Sequence, residues 1–479
     1  MNKHLIMRTL GLVLLCEAGA MIPSLFISLY YDEPDKLAFL ISIALVSTLG
    51  FILVKRPVET RDVGYREGFA IATFSWLLLA IFGAVPFILS GAVSNFVDAF
   101  FETMSGFTTT GASVITDIES LPHGILFWRS LTQWLGGMGI IVLTLALIPS
   151  LKIAGMKLFR AEVPGPTKDK VVPGVINTSR QLYKVYLIIS VAALLSLKAA
   201  GLSWFDSFIH TFSTVATGGF SSQNASIGSY NDPLVETIII FFMFIAGINF
   251  ALHFHALKKN FNPLRQDKET KLYATILFFA IIFVGINLVM TMGYSTADAI
   301  RQSAFQVVSI MTTTGYATAD FNQWPAFSKA VLVGLMFFGG CAGSTAGGMK
   351  LARLYILSKS VSRQIVKLIH PQAVIPVRVG KHVVSDAIVE NVQTFFFIFL
   401  GIQAFSVIAL TFMGLDLVSA FSAVLASITN VGPGLGMVGP MSNFAGVPAV
   451  GKMLLAFCML LGRLELYTVL VVFNIRFWR

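Results

Sequence analysis

Long apolar segments alternate with short polar stretches along the whole chain, and this pattern predicts a series of membrane-spanning helices. Roughly 20 consecutive apolar residues can cross a bilayer as a helix, and segments of that length recur throughout the sequence. Ten spans are predicted, at 9–30, 37–54, 67–90, 127–149, 183–200 and 233–257, at segments that begin near 272, 325 and 385, and at 450–477. The first continues well past Cys16, so we interpret it as an uncleaved helix and not as a signal peptide.

A short strip rich in Thr and Gly occurs four times between these spans. Thr-Thr-Thr-Gly-Ala-Ser at 108–113 is repeated closely by Thr-Thr-Thr-Gly-Tyr-Ala at 312–317, and loosely by Val-Ala-Thr-Gly-Gly-Phe at 215–220 and Thr-Asn-Val-Gly-Pro-Gly at 429–434. An apolar run that opens near an Asp precedes each copy and predicts short helices at 96–107, 204–215, 296–311 and 415–428. Aligned in this way, the strips share Gly111, Gly218, Gly315 and Gly432.

A span, a short helix, a Thr/Gly strip and a second span together form the building block of a cation pore. Irregular backbone at membrane depth is tolerated where protein covers it or where it lines a watery cavity. The strips' carbonyls can replace the hydration shell of a cation, and the shared glycines can adopt the positive φ angles that turn carbonyls to one side. The short helices would point their negative C-terminal ends at the axis.

The sequence therefore predicts an all-α polytopic membrane protein with about ten transmembrane helices. Four repeats of the same orientation, at 61–160, 161–265, 266–380 and 381–479, would surround one pore, and 1–60 would form an additional hairpin.

Composition and charge support a membrane location. The 479 residues are 56% hydrophobic and only 12% charged, and the net charge is +10. Of the 34 Lys and Arg, 27 fall at the two ends or in the alternate loops at 55–66, 150–184, 258–271 and 350–381. Loops rich in Lys and Arg face the cytoplasm, so both termini are expected there, and this distribution argues against nucleic-acid binding. With only three Cys, we expect neither a disulfide framework nor a zinc site.

These repeats resemble the Trk/Ktr/HKT family of potassium transporters, and most closely its bacterial TrkH branch. The resemblance covers about residues 65–479, and the additional N-terminal hairpin is typical of that branch. It implies a filter through the strips at 109–113, 216–220, 313–317 and 430–434, with K+ as the bound ion and no organic cofactor. The implied filter residues are Thr109, Thr110, Gly111, Ala112, Ala216, Thr217, Gly218, Gly219, Thr313, Thr314, Gly315, Tyr316, Asn430, Val431, Gly432 and Pro433.

The filter residues also bear on which cation is preferred. Some plant relatives that prefer sodium carry Ser in place of the first filter glycine, whereas this chain has Gly111, so the resemblance implies potassium. No strip has the full Thr-Val-Gly-Tyr-Gly of a potassium channel, and Thr314-Gly315-Tyr316 comes closest. We therefore expect K+ and Rb+ to permeate better than Na+, with moderate discrimination.

A glycine-rich segment at 339–348 lies inside the long second segment of the third repeat. Its glycines weaken a helix by about 1 kcal/mol each relative to Ala, but their spacing of four also suits close helix packing, so the sequence leaves both interpretations open. The resemblance implies an intramembrane loop that obstructs the pore, and an arginine of the last helix that projects towards it. The implied gating residues are Gly339, Gly340, Gly343, Ser344, Thr345, Gly347, Gly348, Lys350 and Arg463.

The remaining charged residues within spans have structural alternatives. Arg463 and Glu465 fall in the middle of the last predicted span, where charges are costly and usually face a cavity or a partner. Because they are two apart on a helix, they are not expected to pair with each other. Asp98, Asp206, Asp298 and Asp416 at the short-helix starts are first of all expected to be helix caps; alternatively, Asp98 and Glu102 attract cations to the outer mouth.

The resemblance further implies partners and a location. TrkH-like proteins are typically homodimers in the bacterial cytoplasmic (inner) membrane and work with a cytosolic TrkA-like nucleotide-binding subunit. The basic inner loops at 150–184 and 350–381 could dock that subunit or anionic membrane lipid. A gradient-coupled secondary cation or solute transporter is the main alternative, although such proteins often have inverted repeats. A membrane enzyme is disfavoured because the spans contain no Ser/His/Asp set and no metal-spaced His cluster.

Overall fold

A computed structural model describes residues 1–56, 64–139, 175–379 and 382–478. Within these ranges the chain is helical except for loops and one two-stranded hairpin, Arg378–Val379 with His382–Val383. Six helices are long and apolar enough to span a membrane, or up to eight spans exist if two sharply bent helix pairs each count as one. The expected all-α polytopic membrane architecture is confirmed.

The N-terminal hairpin consists of Lys3–Tyr30 and Lys36–Val54. Asn2 caps the first helix by accepting a hydrogen bond from the backbone N–H of Leu5. The two helices pack along each other, and the first also packs against the first repeat. The hairpin therefore lies beside the repeats and contributes no strip.

Each repeat starts with a long first helix that spans the membrane. These helices are Tyr65–Gly83 with its continuation Val85–Leu89, then Val175–Ala199, Lys268–Met292 and Asp386–Phe412. They begin two, eight and four residues before the predicted positions in the first three repeats, and one residue after the predicted position in the fourth.

The short pore helices follow the sequence prediction closely. They are Phe96–Phe107, Trp204–Val215, Thr296–Met311 and Leu417–Ile428, so only the fourth differs, by two residues at its start. The expectation that four Asp residues cap them is wrong for three. Asp416 is an N-cap, and its hydrogen bonds from Ser419 lower the pKa of its carboxyl.

In the other three pore helices the Asp lies in the first turn and the cap is the residue three positions earlier. Ser203 and Ser295 each accept a hydrogen bond from the backbone N–H of the Asp and donate one from their hydroxyl to its carboxylate. Asn95 does the same for Asp98 with its side-chain amide. This reciprocal pattern resembles a capping box. In all four helices, the C-terminal end leads into the strip.

The unbroken second helix of each repeat is shorter than the predicted span. These helices are His123–Gly137, Pro233–Ala246, Ala326–Met336 and Ala449–Arg463. The predicted spans at 233–257 and 450–477 each consist of two bent helices that can together count as one span. The chain bends by 102° before Phe250–Leu257 and by 112° before Tyr467–Phe473. Residues 140–149 of the predicted span at 127–149 lie outside the described residues.

Proline and glycine place these second helices. Pro122, Pro325 and Pro448 are the N-caps of three of them and Pro233 is the first residue of the fourth, a position that suits a residue without a backbone N–H. At the other end, a Cβ on Gly136 would overlap with the Phe107 carbonyl, and a Cβ on Gly462 would overlap with the Ile428 carbonyl. Glycine therefore lets the pore-helix ends sit directly on the ends of the second helices.

The repeats pack in a closed ring. Each pore helix contacts the second helix of its own repeat and that of the preceding repeat, and the first pore helix contacts Ala449–Arg463 of the fourth repeat. The remaining elements are peripheral. They are Asn262–Gln266, Leu351–Ile369, Tyr467–Leu470, Ile475–Trp478 and four 3-10 turns at Ser226–Tyr230, Phe321–Gln323, Gly436–Val438 and Val471–Phe473.

Candidate ion-conduction site

The four strips share one backbone conformation. Two residues after each pore helix, φ is positive at Thr109 (56°), Thr217 (54°), Thr313 (58°) and Asn430 (55°). Two residues later it is positive again, at Gly111 (82°), Gly219 (79°), Gly315 (79°) and Gly432 (96°). A β-branched residue at positive φ is a genuine outlier, and such strain is concentrated at functional sites.

This repeated conformation corrects the register of the second strip. The pore helix ends at Val215, and the glycine with positive φ lies four residues later, as in the other strips. The shared glycine of the second strip is therefore Gly219 and not Gly218. Gly218 is therefore equivalent to Thr110 of the first strip. Ala216, which we expected in the filter, is the C-cap of the pore helix and lies one position before it.

The shared glycines interlock the strips in cyclic order. A Cβ atom on Gly111 would overlap with the Gly218 carbonyl oxygen, and one on Gly219 would overlap with that of Thr314. A Cβ on Gly315 would overlap with the Val431 carbonyl, and the ring closes because a Cβ on Gly432 would meet the Thr110 carbonyl oxygen at 2.5 Å. Each shared glycine thus contacts the next strip at the residue that precedes the shared glycine of that strip. These contacts place all four strips around one axis.

Exposure indicates that the strips surround a lumen. In 109–112, 217–220 and 313–316, the shared glycine is the one residue that is partly exposed, while every neighbour is buried. The strip side chains therefore point into the protein, and the backbone at the glycines faces open space. This is the arrangement that a filter of backbone carbonyls requires.

A buried ion pair joins the first and second strips. Arg129 Nε donates to Glu102 Oε1 at 2.9 Å, and neither side chain is more than 1% exposed. Glu102 also accepts from Ser113 Oγ and from the Val114 N–H, while Arg129 donates to the Ser221 carbonyl at 3.2 Å. The structure thus places Glu102 behind the strips, and not at the outer mouth where it was considered as a cation attractor. Asp98, the other candidate, pairs with Lys452 at 2.6 Å.

Gln133 holds the second strip from the second helix of the first repeat. Its amide donates to the Gly218 carbonyl at 2.6 Å and accepts from the Phe220 N–H at 3.0 Å. The side chain is fully buried. Both bonds go to the strip backbone, so Gln133 fixes the strip on either side of Gly219.

An aromatic network joins the second and third strips. The Tyr316 hydroxyl lies 3.2 Å from the Phe220 carbonyl oxygen and 3.3 Å from His210 Nδ1, so it can donate to the first and accept from the second. His210 Nε2 in turn lies 3.0 Å from the Tyr230 hydroxyl. At the outer end of this network, burial opposes ionisation of Asp206, but hydrogen bonds from Ser222 and Ser203 outweigh it and lower the pKa of the carboxyl.

The glycine-rich segment is a closed loop and not a helix. Phe338 and Met349 form a single parallel bridge, and the Gly339 N–H donates to the Met349 carbonyl at 3.0 Å. Gly343 and Gly348 have positive φ angles of 73° and 66°. Of the two interpretations that the sequence left open, a helix break is therefore the one the structure has.

The loop is fastened to neighbouring elements at both ends. The Cys341 N–H donates to the Gly247 carbonyl at 2.9 Å, at the bend of the second repeat. Glu269 Oε1 accepts from the backbone N–H groups of both Ala342 and Ala352, each at 2.8 Å. Sequence reasoning missed Glu269, because its partners lie 73 and 83 positions away.

The loop touches the inner ends of the strips. The Gly347 N–H donates to Thr313 Oγ1 at 2.6 Å, and Thr345 Oγ1 donates to the Val215 carbonyl at 3.1 Å. A Cβ on Gly347 would meet the Thr429 carbonyl oxygen at 2.5 Å. The loop therefore lies directly below the pore-helix ends of the second, third and fourth repeats.

Arg463, from the fourth repeat, also contacts both the loop and a strip. Its guanidinium donates to the Thr345 carbonyl at 3.1 Å, to the Gly137 carbonyl at 2.7 Å, and to Thr109 Oγ1 at 3.4 Å. Arg463 is only 8% exposed, and no carboxylate is among these acceptors. The cation thus bridges the loop and the first strip.

The other intramembrane charges lie near the loop. Lys350 is buried and donates to the Ala346 carbonyl. Glu465 pairs with Arg353. The expectation that Arg463 and Glu465 share one helix is wrong, because the helix ends at Arg463 and Glu465 has a positive φ of 57°.

Comparison with known proteins agrees with this architecture. The sequence profile of the TrkH family, described as cation transport protein, matches residues 36–477. The chain belongs to the TrkH family.

Relatives of this TrkH-family chain match it from end to end. The Trk system potassium uptake proteins TrkH of Halomonas elongata and of Escherichia coli K12 are each 40% identical to it, over 483 and 487 residues, and the alignments cover all of both chains. The crystal structure of the potassium transporter TrkH from Vibrio parahaemolyticus superposes with a TM-score of 0.91 at 34% identity and covers both chains completely. The family assignment therefore applies to the whole chain.

Proposed function

We propose that this chain is the potassium-translocating membrane subunit of a Trk-type uptake system, which conducts K+ and Rb+ in preference to Na+. The cyclic interlock of the four strips is the observation that carries the proposal. It brings four equivalent stretches of backbone to one axis, and in three of them a partly exposed glycine lies between buried neighbours. The relatives' names supply K+ as the ion.

The filter, in this proposal, consists of the backbone from Thr109 to Ala112 and its equivalents at 217–220, 313–316 and 430–433. Carbonyls there replace the hydration shell of the ion, and the negative ends of four pore helices stabilise its charge. Three sets of contacts behind the first three strips act as braces: the Glu102–Arg129 ion pair, Gln133 and the Tyr316–His210 network. They hold the strained backbone in place, so the filter is preorganised.

The loop at 337–350 acts as the gate. It lies below the strips and is bonded to them through Gly347, Thr345 and Arg463. A conducting state requires that these bonds break and that the loop moves aside. We propose that a cytosolic TrkA-like nucleotide-binding subunit drives this movement from the cytoplasmic side.

The assembly is a homodimer in the bacterial inner membrane with both termini in the cytoplasm. The distribution of Lys and Arg supports this orientation. Lys3→Cys and Arg476→Cys test the orientation through the reaction of each introduced thiol with a membrane-impermeant reagent. The mass of the complex in detergent tests the dimer.

Flux into proteoliposomes tests the proposed function and separates it from gradient-coupled transport. Vesicles loaded with K+ and diluted into a K+-free medium with tracer Rb+ develop an inside-negative potential. A pore then accumulates Rb+ without any imposed proton or sodium gradient. Uptake that requires an imposed proton or sodium gradient would replace the pore by a coupled transporter.

A further inference from the structure

A basic cavity lies alongside the helix that follows the gating loop. It has a volume of about 370 Å³ and lies between the helix Leu351–Ile369 and the chain segment at 375–378. Three cationic side chains line it, those of Lys359, Arg363 and Arg378, and no Asp or Glu is among the described residues of its wall. Nothing in the proposed conduction path uses this cavity.

The positive charge in the cavity is only partly compensated. Arg363 pairs with Asp386 at 2.5 Å, but that carboxylate is 86% exposed. Arg363 Nε is buried, and within the described part of the chain it has no hydrogen-bond partner. Lys359 and Arg378 are both exposed. The cavity therefore offers unused donors and a net positive charge to an anion.

The level of the cavity is fixed by its ion pair. Asp386 is the first residue of the helix Asp386–Phe412, which is long and apolar enough to span the membrane. The cavity thus lies where that span begins, on the side of the chain that carries most of the Lys and Arg. This is the level of the lipid headgroups in the cytoplasmic leaflet.

An apolar surface adjoins the cavity. Val361, Ile365, Leu368 and Ile369 of the same helix are between 55% and 83% exposed, and their spacing places them on one face. The wall of the cavity itself includes Val366 and Val377. A helix with a basic side and an exposed apolar face suits the membrane interface.

From these features we infer that the cavity binds the phosphate group of an anionic phospholipid, whose acyl chains lie along the exposed apolar face. The inference rests on the proposed function only through the orientation that puts this side in the cytoplasm. The helix starts directly after Lys350, so a bound lipid holds the segment that closes the gating loop.

Binding of phosphatidylglycerol tests the inference on the full chain in detergent. The pocket variant is Lys359→Gln with Arg378→Gln, which leaves the Arg363 ion pair intact. The matched control is Lys259→Gln with Arg265→Gln, two exposed cations of another basic inner loop. Each Lys or Arg near an anionic surface contributes about 1 kcal/mol, so the pocket variant is expected to bind about 25-fold more weakly. The control is expected to bind like the wild type.

Three outcomes overturn the inference. Equal weakening in both variants would show that diffuse surface charge, and not the cavity, attracts the lipid. Thermal stabilisation by inorganic phosphate that matches that by phosphatidylglycerol would make a free phosphate the ligand. No difference between phosphatidylglycerol and phosphatidylcholine in the wild type would remove the site. Rb+ flux of the same preparations is measured in parallel, so a failure of the proposed function is recognised separately.

Discussion

Replacement of Gly219 by Ala tests the corrected register of the second strip. Gly219 has a φ of 79°, and a Cβ there would overlap with the Thr314 carbonyl oxygen of the third strip. The left-handed conformation costs an L-residue about 1–2 kcal/mol. The overlap adds to this cost, and it is relieved only by moving backbone of the neighbouring strip. Gly219→Ala is therefore expected to distort the ring.

The matched control is Gly218→Ala. Its Cβ would meet the side-chain amide of Gln133, which can be removed, and not the backbone of another strip. Gln133→Ala creates that space at the cost of two hydrogen bonds, each worth about 0.5–1.5 kcal/mol. The double variant Gly218→Ala with Gln133→Ala is thus expected to lose stability and part of its preference for K+, but less of that preference than Gly219→Ala, because no backbone of another strip has to move.

The assay is the permeability ratio of K+ to Na+, measured from reversal potentials. A cost of about 1–2 kcal/mol, placed on the K+-bound geometry alone, corresponds to about a 5- to 30-fold fall in the ratio for Gly219→Ala. Gly111→Ala, in the first strip, should show a similar fall. The reasoning is refuted if Gly219→Ala remains as selective as the wild type while the Gly218 double variant loses selectivity.

Other predictions concern the braces and the gate. Arg463→Gln removes charge-assisted bonds worth about 1.5–3 kcal/mol, including that to Thr345, and should raise single-channel open probability without the regulatory subunit about 10-fold or more; an unchanged open probability would argue against a gate. Glu102→Gln leaves Arg129 buried without its counter-charge and should cost about 3–5 kcal/mol of stability. In thermal unfolding, the double variant with Arg129→Met should be more stable than either single variant, and additive losses would contradict a coupled pair. Tyr316→Phe removes one hydrogen bond of about 0.5–1.5 kcal/mol and should raise relative Na+ permeability about 2- to 10-fold; no shift in reversal potential would exclude a role in selectivity.

The sequence is sufficient to predict the pore helices and the strips. Each pore helix is a short amphipathic run between a polar cap and a Thr/Gly strip, so local signals mark both ends. Three of the four were correct to the residue. The second strip was misaligned by one residue because Gly218 and Gly219 are adjacent and composition cannot distinguish them.

The breaks of the second helices could not be predicted in the same way. The apolar pattern continues through the bend near Gly247 and through that at Glu465, so a hydropathy window interprets each as one span. The left-handed residues there include Glu465 and Leu466, which are not glycines. The one local signal of the break at Glu465 is the pair of charged residues, Arg463 and Glu465, within an apolar segment.

The braces behind the filter were also invisible to local patterns. Glu102 and Arg129 are 27 residues apart, and His210 and Tyr316 are 106 apart. Their side chains meet only because the repeats close into a ring, so a pairing between them follows from the fold and not from spacing.

The most direct test of the central claim is current through the purified protein in a planar bilayer, with K+ on one side and Na+ on the other. The account predicts single-channel steps that reverse near the K+ potential, and a shift towards the Na+ potential in Gly315→Ser, because a Cβ there would overlap with the Val431 carbonyl. Two results would contradict a potassium filter formed by these four strips. One is a wild-type reversal potential that indicates a Na+ permeability equal to or greater than the K+ permeability. The other is a reversal potential that Gly315→Ser leaves unchanged.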